Sequence, residues 1–191
     1  EEIEFQQAMV YMGSLSMLII FGLMAIAFKS YWQPFLVLTA VPFGLMGAIF
    51  GHWILGWQVS MFSIMGVIAC AGVVVNDNLV LIDRINNLRD EGMDLIDALL
   101  QGATDRFRPI ILTSVTTFVG LVPIMLETSV QAQFLIPMVV SLSFGVLFAT
   151  GVTLVLVPAL YLLGDDIGKF LSNGTNRELE QQGGDVSPPL V

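Results

Sequence analysis

Five long apolar stretches constrain the fold of this chain more than any other feature of its sequence. A helix that crosses a bilayer needs roughly 17–25 mostly apolar residues, and backbone groups in lipid must be hydrogen-bonded within their own segment. Only 12% of the 191 residues are charged, about half the share in soluble domains. The sequence therefore predicts an all-α integral membrane protein, a bundle of five transmembrane helices. The predicted spans are residues 8–28, 34–55, 61–82, 109–126 and 134–163.

The basic residues predict how these helices are oriented. With five alternating crossings, all seven Lys and Arg residues fall on one side of the membrane, and the positive-inside rule assigns that side to the cytoplasm. Aromatic residues agree, with Trp32 at the inner boundary and Trp53 at the outer one. The amino end is therefore expected outside and the carboxyl end inside. The basic residues are Lys29, Arg84, Arg89, Arg106, Arg108, Lys169 and Arg177.

The segments outside the spans complete the predicted organisation. Residues 1–7 form a lead-in on the outer side, 8–171 the transmembrane domain, and 172–191 a disordered cytoplasmic tail rich in polar residues. Residues 94–105 form a cytoplasmic amphipathic helix that begins at Asp94. The acidic amino end must lie outside without a signal peptide, so we expect the chain to be the carboxy-terminal piece of a longer membrane protein. The apolar face of the amphipathic helix comprises Leu95, Ile96, Leu99, Leu100 and Ala103.

Several other features are explained by packing or by position at the membrane surface. Gly47 and Gly51 form a small-xxx-small pair, which lets two transmembrane helices approach closely. Cys70 lies in an apolar run and is interpreted as a small buried hydrophobe. His52 lies at the outer end of the second span, where it is interpreted as an interfacial polar residue.

The sequence argues against an enzyme and against binding to nucleic acid. A single histidine excludes the HExxH zinc motif, and no phosphate-binding glycine loop follows a predicted strand. Seven basic residues are too few for a nucleic-acid surface. We therefore predict no catalytic residue, no metal site and no cofactor, with membrane lipid as the surrounding partner.

Asp77 is the one ionisable residue placed deep inside a span. A carboxylate in hydrocarbon costs roughly 2.5–3.5 kcal/mol on insertion scales, so such a group is expected to face a protein interior or a water path. Asn76 and Asn78 flank it, and Thr113 opens a hydroxyl-rich segment early in the fourth span, just after Arg106. This set resembles the equipment of a proton or cation path. The alternative is that the amides only bond neighbouring helices and Asp77 stays neutral.

Three segments resemble the resistance–nodulation–division (RND) efflux transporters of the AcrB type. They are Gly-Val-Val-Val-Asn-Asp-Asn-Leu-Val-Leu-Ile-Asp at 72–83, Arg-Phe-Arg-Pro-Ile-Ile-Leu-Thr-Ser at 106–114 and Gly-Leu-Val-Pro at 120–123. The resemblance implies the last five helices of such a transporter, the carboxy-terminal transmembrane half. It further implies a multi-pass protein of the bacterial inner membrane that exports amphiphiles or drugs, driven by protons. Its implied partners are the rest of the transporter, two further copies in a homotrimer, a periplasmic adaptor and an outer-membrane channel.

The resemblance also assigns an ion-coupling relay to four residues. The family's lysine position matches Asn76, and Asp77 follows it; its threonine matches Thr113, and its arginine at the cytoplasmic end of the next helix matches Arg106. Asn76 departs from the family pattern because an amide cannot neutralise the aspartate pair that the lysine faces. Three consequences stay open: Asp77 itself titrates, coupling rests on aspartates outside this chain, or the coupling ion differs.

Two other functions are compatible with the same sequence. The first is a related transporter that moves lipids or aids protein export. The second is a membrane scaffold or sensor that uses the bundle only for assembly, in which case the small-residue face around Gly47 and Gly51 would be the sensitive element.

Overall fold

The computed structural model describes the backbone of residues 2–183 and the side chains of residues 3–4 and 7–165. Over this part of the chain it consists of α-helices and contains no strand. The helices are α1 (Glu2–Phe28), α2 (Trp32–Leu38), α3 (Val41–Leu55), α4 (Met61–Asp90), α5 (Leu95–Met125) and α6 (Val130–Gly183).

The predicted all-α membrane bundle is confirmed. Five helical segments of the described chain are long and apolar enough to cross a membrane, with mean hydropathies between 1.6 and 2.3. They coincide with the five apolar stretches of the sequence, extended at most of their ends by polar turns. The segments are Gln7–Phe28, Trp32–Leu55, Met61–Asp90, Leu95–Met125 and Val130–Asp165.

The second crossing is made of two helices, whereas the sequence predicted one. α2 ends at Leu38 and α3 begins at Val41, with Thr39 and Ala40 between them. Pro42 is the cause, because it has no N–H to donate to the carbonyl of Leu38 one turn earlier. The interruption therefore lies at the first turn of α3, where proline is tolerated.

The predicted amphipathic helix and the fourth span form one continuous helix, α5. Pro109 lies inside it and removes a single backbone bond without ending it. The predicted apolar face is only partly buried: Leu99 is 3% exposed, but Leu100 is 64% exposed. Gly102 explains the difference, because a Cβ there would lie 2.7 Å from Ile85, so α5 rotates its smallest residues toward α4.

The carboxyl end differs from the predicted tail. α6 continues through residues 172–182 to Gly183. The remainder of the predicted tail, residues 184–191, lies outside the described residues.

α6 is the central helix of the bundle. α3, α4 and α5 all pack against it, and α2 contacts its carboxy-terminal half. The contacts with α3 and α4 are made through glycines, which we call the glycine seam: Gly47, Gly51, Gly66 and Gly145. A Cβ at Gly47 would lie 2.6 Å from the carbonyl oxygen of Phe144, and one at Gly145 would lie 2.7 Å from Cys70 Sγ. Cys70 is fully buried in this contact.

α1 lies at the edge of the bundle. Its main contacts are with α2, and it touches α4 more weakly. Only 6% of its most apolar stretch is buried, against 44% for the Trp32–Leu55 crossing. Met24 is the buried residue that joins α1 to the core formed with α2, α4 and α6.

Candidate functional site

Asn76, Asp77 and Asn78 point in three different directions from the middle of α4. Successive residues of a helix are separated by about 100° around its axis. Asn76 accordingly is exposed, Asp77 is half-buried, and Asn78 is buried with 2% of its surface exposed. The three polar residues therefore do not form one cluster, although they are adjacent in sequence.

Asp77 carries an oxygen with no hydrogen-bond partner. Its Oδ2 atom is buried and accepts no hydrogen bond from any residue that the structure describes, and the buried Nδ2 of Asn78 donates no hydrogen bond to any of them. An unsatisfied buried polar group costs about 1–3 kcal/mol, and more when it is charged. The middle of α4 therefore retains unused hydrogen-bonding capacity at membrane depth.

Thr113 is exposed on α5 and bonds to its own helix. Its hydroxyl donates to the carbonyl of Pro109 at 2.6 Å, and the hydroxyl of Thr117 donates to the carbonyl of Thr113 at 2.8 Å. The next residue, Ser114, points the opposite way and is buried, with its Oγ 2.6 Å from Thr150 Oγ1 on α6. Of the predicted hydroxyl segment, Ser114 thus joins α5 to α6, while Thr113 remains on the surface.

Arg106 lies in the amino-terminal part of α5, where an ion pair also joins α4 to α5. The Nε and Nη2 atoms of Arg84 both donate to Asp105 Oδ2, at 2.9 and 2.8 Å. Arg106 is half-buried, and its Nε atom has no hydrogen-bond partner in the described part of the chain. No hydrogen bond or ion pair among the described residues joins Arg106 to Asp77.

The predicted relay therefore lies on two neighbouring helices, and no hydrogen bond or ion pair among the described residues joins its side chains. Asn76 and Thr113 are exposed, and so are the glycines near them, Gly72 and Gly120, where a Cβ would have no neighbour within 4 Å. We call this surface of α4 and α5 the polar face. No described segment of the chain covers it.

His52 is a structural residue that the sequence interpretation placed at the membrane surface. It is 4% exposed, and it joins α3 to α4. Its Nδ1 donates to the carbonyl of Ala48 at 2.9 Å, so its Nε2 accepts a hydrogen bond from the hydroxyl of Ser63 at 2.8 Å. The interfacial interpretation was wrong because the adjacent glycine seam brings α3 and α4 close enough to enclose the ring. In the sequence, Ser63 at the third position of α4 was the available indication that His52 has a polar partner on the next helix.

The described residues contain no ready metal site. Within residues 3–4 and 7–165, no three His, Cys, Asp or Glu side chains come together as ligands would. The chemistry that this region offers is therefore a single intramembrane carboxylate, amides and hydroxyls, with guanidinium groups at the cytoplasmic end.

Comparison with known proteins gives consistent results. The model of the AcrB/AcrD/AcrF family matches residues 1–165. The cobalt-zinc-cadmium resistance protein CzcA of Cupriavidus metallidurans is 35% identical over 149 residues, which are 78% of this chain and 14% of that protein. The cation efflux system protein CzcA of Alcaligenes sp. strain CT14 matches with the same identity and coverage.

A solved structure of a heavy metal efflux pump shares the fold. The match has a TM-score of 0.69 and 31% identity, and it covers 85% of this chain and 17% of that structure. The chain thus spans about 14% of the length of the curated relatives that it matches. With the five crossings, the α4 and α5 motifs and a family model that extends over residues 1–165, the chain belongs to the AcrB/AcrD/AcrF family of RND efflux transporters.

Proposed function

We propose that this chain is part of a secondary active transporter that exports metal cations, with Asp77 as the residue that binds the coupling proton. One observation carries the proposal: Asp77 places a buried oxygen without a partner in the middle of a membrane-crossing helix. Such a carboxylate can bind a proton or pair with a cation, and either event changes the charge at that depth. A transporter can use this change to favour one conformation over another.

Asn76 determines which form of coupling we favour. An amide cannot supply the positive charge that the lysine supplies in the pumps of the AcrB type, so the change of charge that couples transport has to come from groups that bind the proton themselves. Asp77 is the adjacent candidate. Thr113 adds a hydroxyl on the polar face toward the remaining half of the transporter, and Arg106 marks the cytoplasmic side to which protons would be released.

The choice of metal cations as substrate is supported by the relatives. Two of them are named for cation efflux or for resistance to cobalt, zinc and cadmium, and the solved relative is described as a heavy metal efflux pump. Family membership supports the remaining assignments: a bacterial inner-membrane location, a homotrimer, a periplasmic adaptor and an outer-membrane channel.

Export of amphiphiles or drugs is the second candidate. It is favoured by an apolar groove of about 640 Å³ between α1 and α4, lined among others by Met17, Phe21, Ile64 and Ala71. An amphiphile could enter such a groove from the lipid, whereas a hydrated metal ion could not.

The test is transport by the complete transporter that contains this chain, reconstituted in vesicles with an imposed proton gradient. We expect Asp77→Asn to lower export of Zn²⁺ and Co²⁺ by at least tenfold, which corresponds to about 1.4 kcal/mol. Asp97→Asn is the matched control, because Asp97 is an exposed carboxylate near the cytoplasmic start of α5. The two variants should be compared at equal amounts of folded protein.

Three results would contradict the proposal in different ways. Normal metal export by Asp77→Asn would mean that coupling rests on groups outside this chain. Export of an amphiphilic dye but of no metal would mean that the substrate is an amphiphile, and the proposed role of Asp77 would stand. Metal export that ignores the proton gradient but follows another ion would replace the coupling ion.

A further inference from the structure

Four helices line an open polar pocket where they reach the cytoplasmic side of the membrane. We call it the inner pocket; its volume is about 380 Å³, within the range of roughly 300–1,000 Å³ that small-molecule sites occupy. It lies beside Tyr31 and Trp32, both exposed, as expected for aromatic residues at a membrane boundary. The lining residues are Phe28 at the end of α1, Gln33 on α2, Asn86, Arg89 and Asp90 at the end of α4, and Tyr161 on α6.

The floor of the inner pocket is a hydrogen-bonded triad. Asn86 Nδ2 donates to Gln33 Oε1 at 2.9 Å, and Gln33 Nε2 donates to Asn86 Oδ1 at 3.0 Å. The hydroxyl of Tyr161 donates to the same Asn86 oxygen at 2.8 Å. The three side chains come from three different helices, so the floor is rigid. Each amide nitrogen has two hydrogens, and one N–H of Asn86 remains available to a ligand.

Two opposite charges stand at the rim. Arg89 lies beside the Tyr161 hydroxyl, and its Nη1 atom is 3.4 Å from Asp165 Oδ1. That ion pair is long and partly exposed, so its contribution is at most about 1 kcal/mol and a ligand could replace it. Asp90 is exposed and makes no hydrogen bond or ion pair with any residue that the structure describes. The rim therefore offers a guanidinium and a free carboxylate on adjacent residues.

We propose that the inner pocket binds the headgroup of a zwitterionic aminophospholipid from the cytoplasmic leaflet. The phosphate would accept hydrogen bonds from Arg89 and from the free Asn86 N–H, since guanidinium groups bind phosphate through paired donors. The ammonium group would donate to Asp90. The proposal is independent of the coupling role of Asp77, which lies deeper in the membrane on the same helix.

The charges select the headgroup class. A purely anionic headgroup would leave Asp90 without a partner and would meet the carboxylates of both Asp90 and Asp165. A choline headgroup has the correct charges, but its nitrogen carries no hydrogen to donate to Asp90. An ethanolamine-type headgroup satisfies both the donors and the acceptor of the pocket.

The position of the pocket selects a lipid over a soluble phosphate compound. Phe28 in the lining ends α1, whose preceding turns present Leu23 and Ile26 with 63% and 77% of their surfaces exposed. Acyl chains attached to a headgroup in the inner pocket could lie against this apolar surface. A soluble ligand would gain nothing from it.

The experiment is lipid retention by the complete transporter that contains this chain, measured by native mass spectrometry. The purified protein is offered equal amounts of phosphatidylethanolamine, phosphatidylglycerol and phosphatidylcholine. We expect retention of phosphatidylethanolamine to exceed that of the other two by at least about fivefold, and Arg89→Gln and Asp90→Asn each to remove most of this preference. Arg108→Gln and Asp97→Asn are matched controls, because both residues are exposed near the cytoplasmic side of α5.

Each alternative outcome overturns the proposal. Equal retention of the three lipids, or a preference that survives both Arg89→Gln and Asp90→Asn, would show that the inner pocket does not select the headgroup. Displacement of the lipid by soluble phosphoethanolamine at an equal concentration would assign the pocket to a soluble ligand. Asp90→Asn keeps the test decisive, since an exposed residue without a described partner can be changed without disturbing the fold.

Discussion

The glycine seam and the polar face use the same residue types for opposite purposes. At the seam, Gly66 allows the backbone of α4 to touch the carbonyl of Met138 on α6, and Gly145 receives Cys70. On the polar face, a Cβ added at Gly72 or at Gly120 would have no neighbouring atom within 4 Å in the described part of the chain. Both sides of the seam belong to this chain, whereas no described segment packs against the polar face. Glycine in a transmembrane helix therefore indicates a close approach only when the opposing helix is also present.

The largest effect that we expect is a difference in stability between a seam glycine and a polar-face glycine of the same helix, α4. Gly66→Ala should lower the free energy of unfolding by about 1–3 kcal/mol, because its Cβ meets the backbone of Met138 and the side chain of Ser141. Gly72→Ala is the matched control on α4, where an added methyl group would have no neighbour within 4 Å among the described residues. Thermal unfolding of the complete transporter in detergent measures both.

The sign of the change in unfolding free energy of Gly66→Ala is informative, because alanine is favoured over glycine within a helix by about 1 kcal/mol. A stabilised Gly66→Ala variant would mean that α4 and α6 do not approach as closely as described. An equal loss in Gly72→Ala would mean that the polar face is packed against another segment as tightly as the seam.

The second effect tests the polar contact at the outer end of the seam. His52→Ala and Ser63→Ala should each lower the free energy of unfolding by about 1–3 kcal/mol, because each leaves a buried partner without its hydrogen bond. The double variant should be less destabilised than the sum of the two. Additive losses in a double-mutant cycle would contradict a direct bond between the two side chains.

The smallest effect compares two adjacent residues of α5. Ser114→Ala should lower the free energy of unfolding by about 1 kcal/mol, because it removes the buried bond to Thr150. Thr113→Val should leave stability nearly unchanged, since the Thr113 hydroxyl is exposed and bonds only to its own helix. Transport should show the reverse order, with Thr113→Val slower if the polar face contacts the coupling residues of the remaining half. Unchanged transport by Thr113→Val would remove Thr113 from the proposed relay.

The membrane crossings could be predicted because the physics that sets them is local. The length of an apolar run and the distribution of Lys and Arg around it are properties of a single segment. The continuity of α5 through Pro109 was missed, because a proline removes one backbone bond without necessarily ending a helix. Whether the helix ends there depends on the neighbouring turns, which the apolar pattern does not describe.

The candidate site was predicted only in part. The identity of Asp77 as a buried intramembrane acid follows from its place in an apolar run. The different orientations of Asn76, Asp77 and Asn78 do not follow from the sequence. Three adjacent polar residues carry no information on which side of α4 meets α6. His52 was misplaced for the same reason, since its burial depends on a partner, Ser63, from the following helix.

By itself, the sequence determined that this chain is a membrane bundle of five crossings that resembles one transporter family, and its basic residues predict the orientation. These follow from the cost of placing polar groups in lipid, which acts on each segment alone. The tertiary structure decided which helix surfaces are buried against another helix of this chain. The close approach of α3, α4 and α6 buries His52 and the seam glycines, and the approach of α5 to α6 buries Ser114, whereas Asn76 and Thr113 stay exposed. Burial depends on the neighbouring helix, and no single helix contains that information.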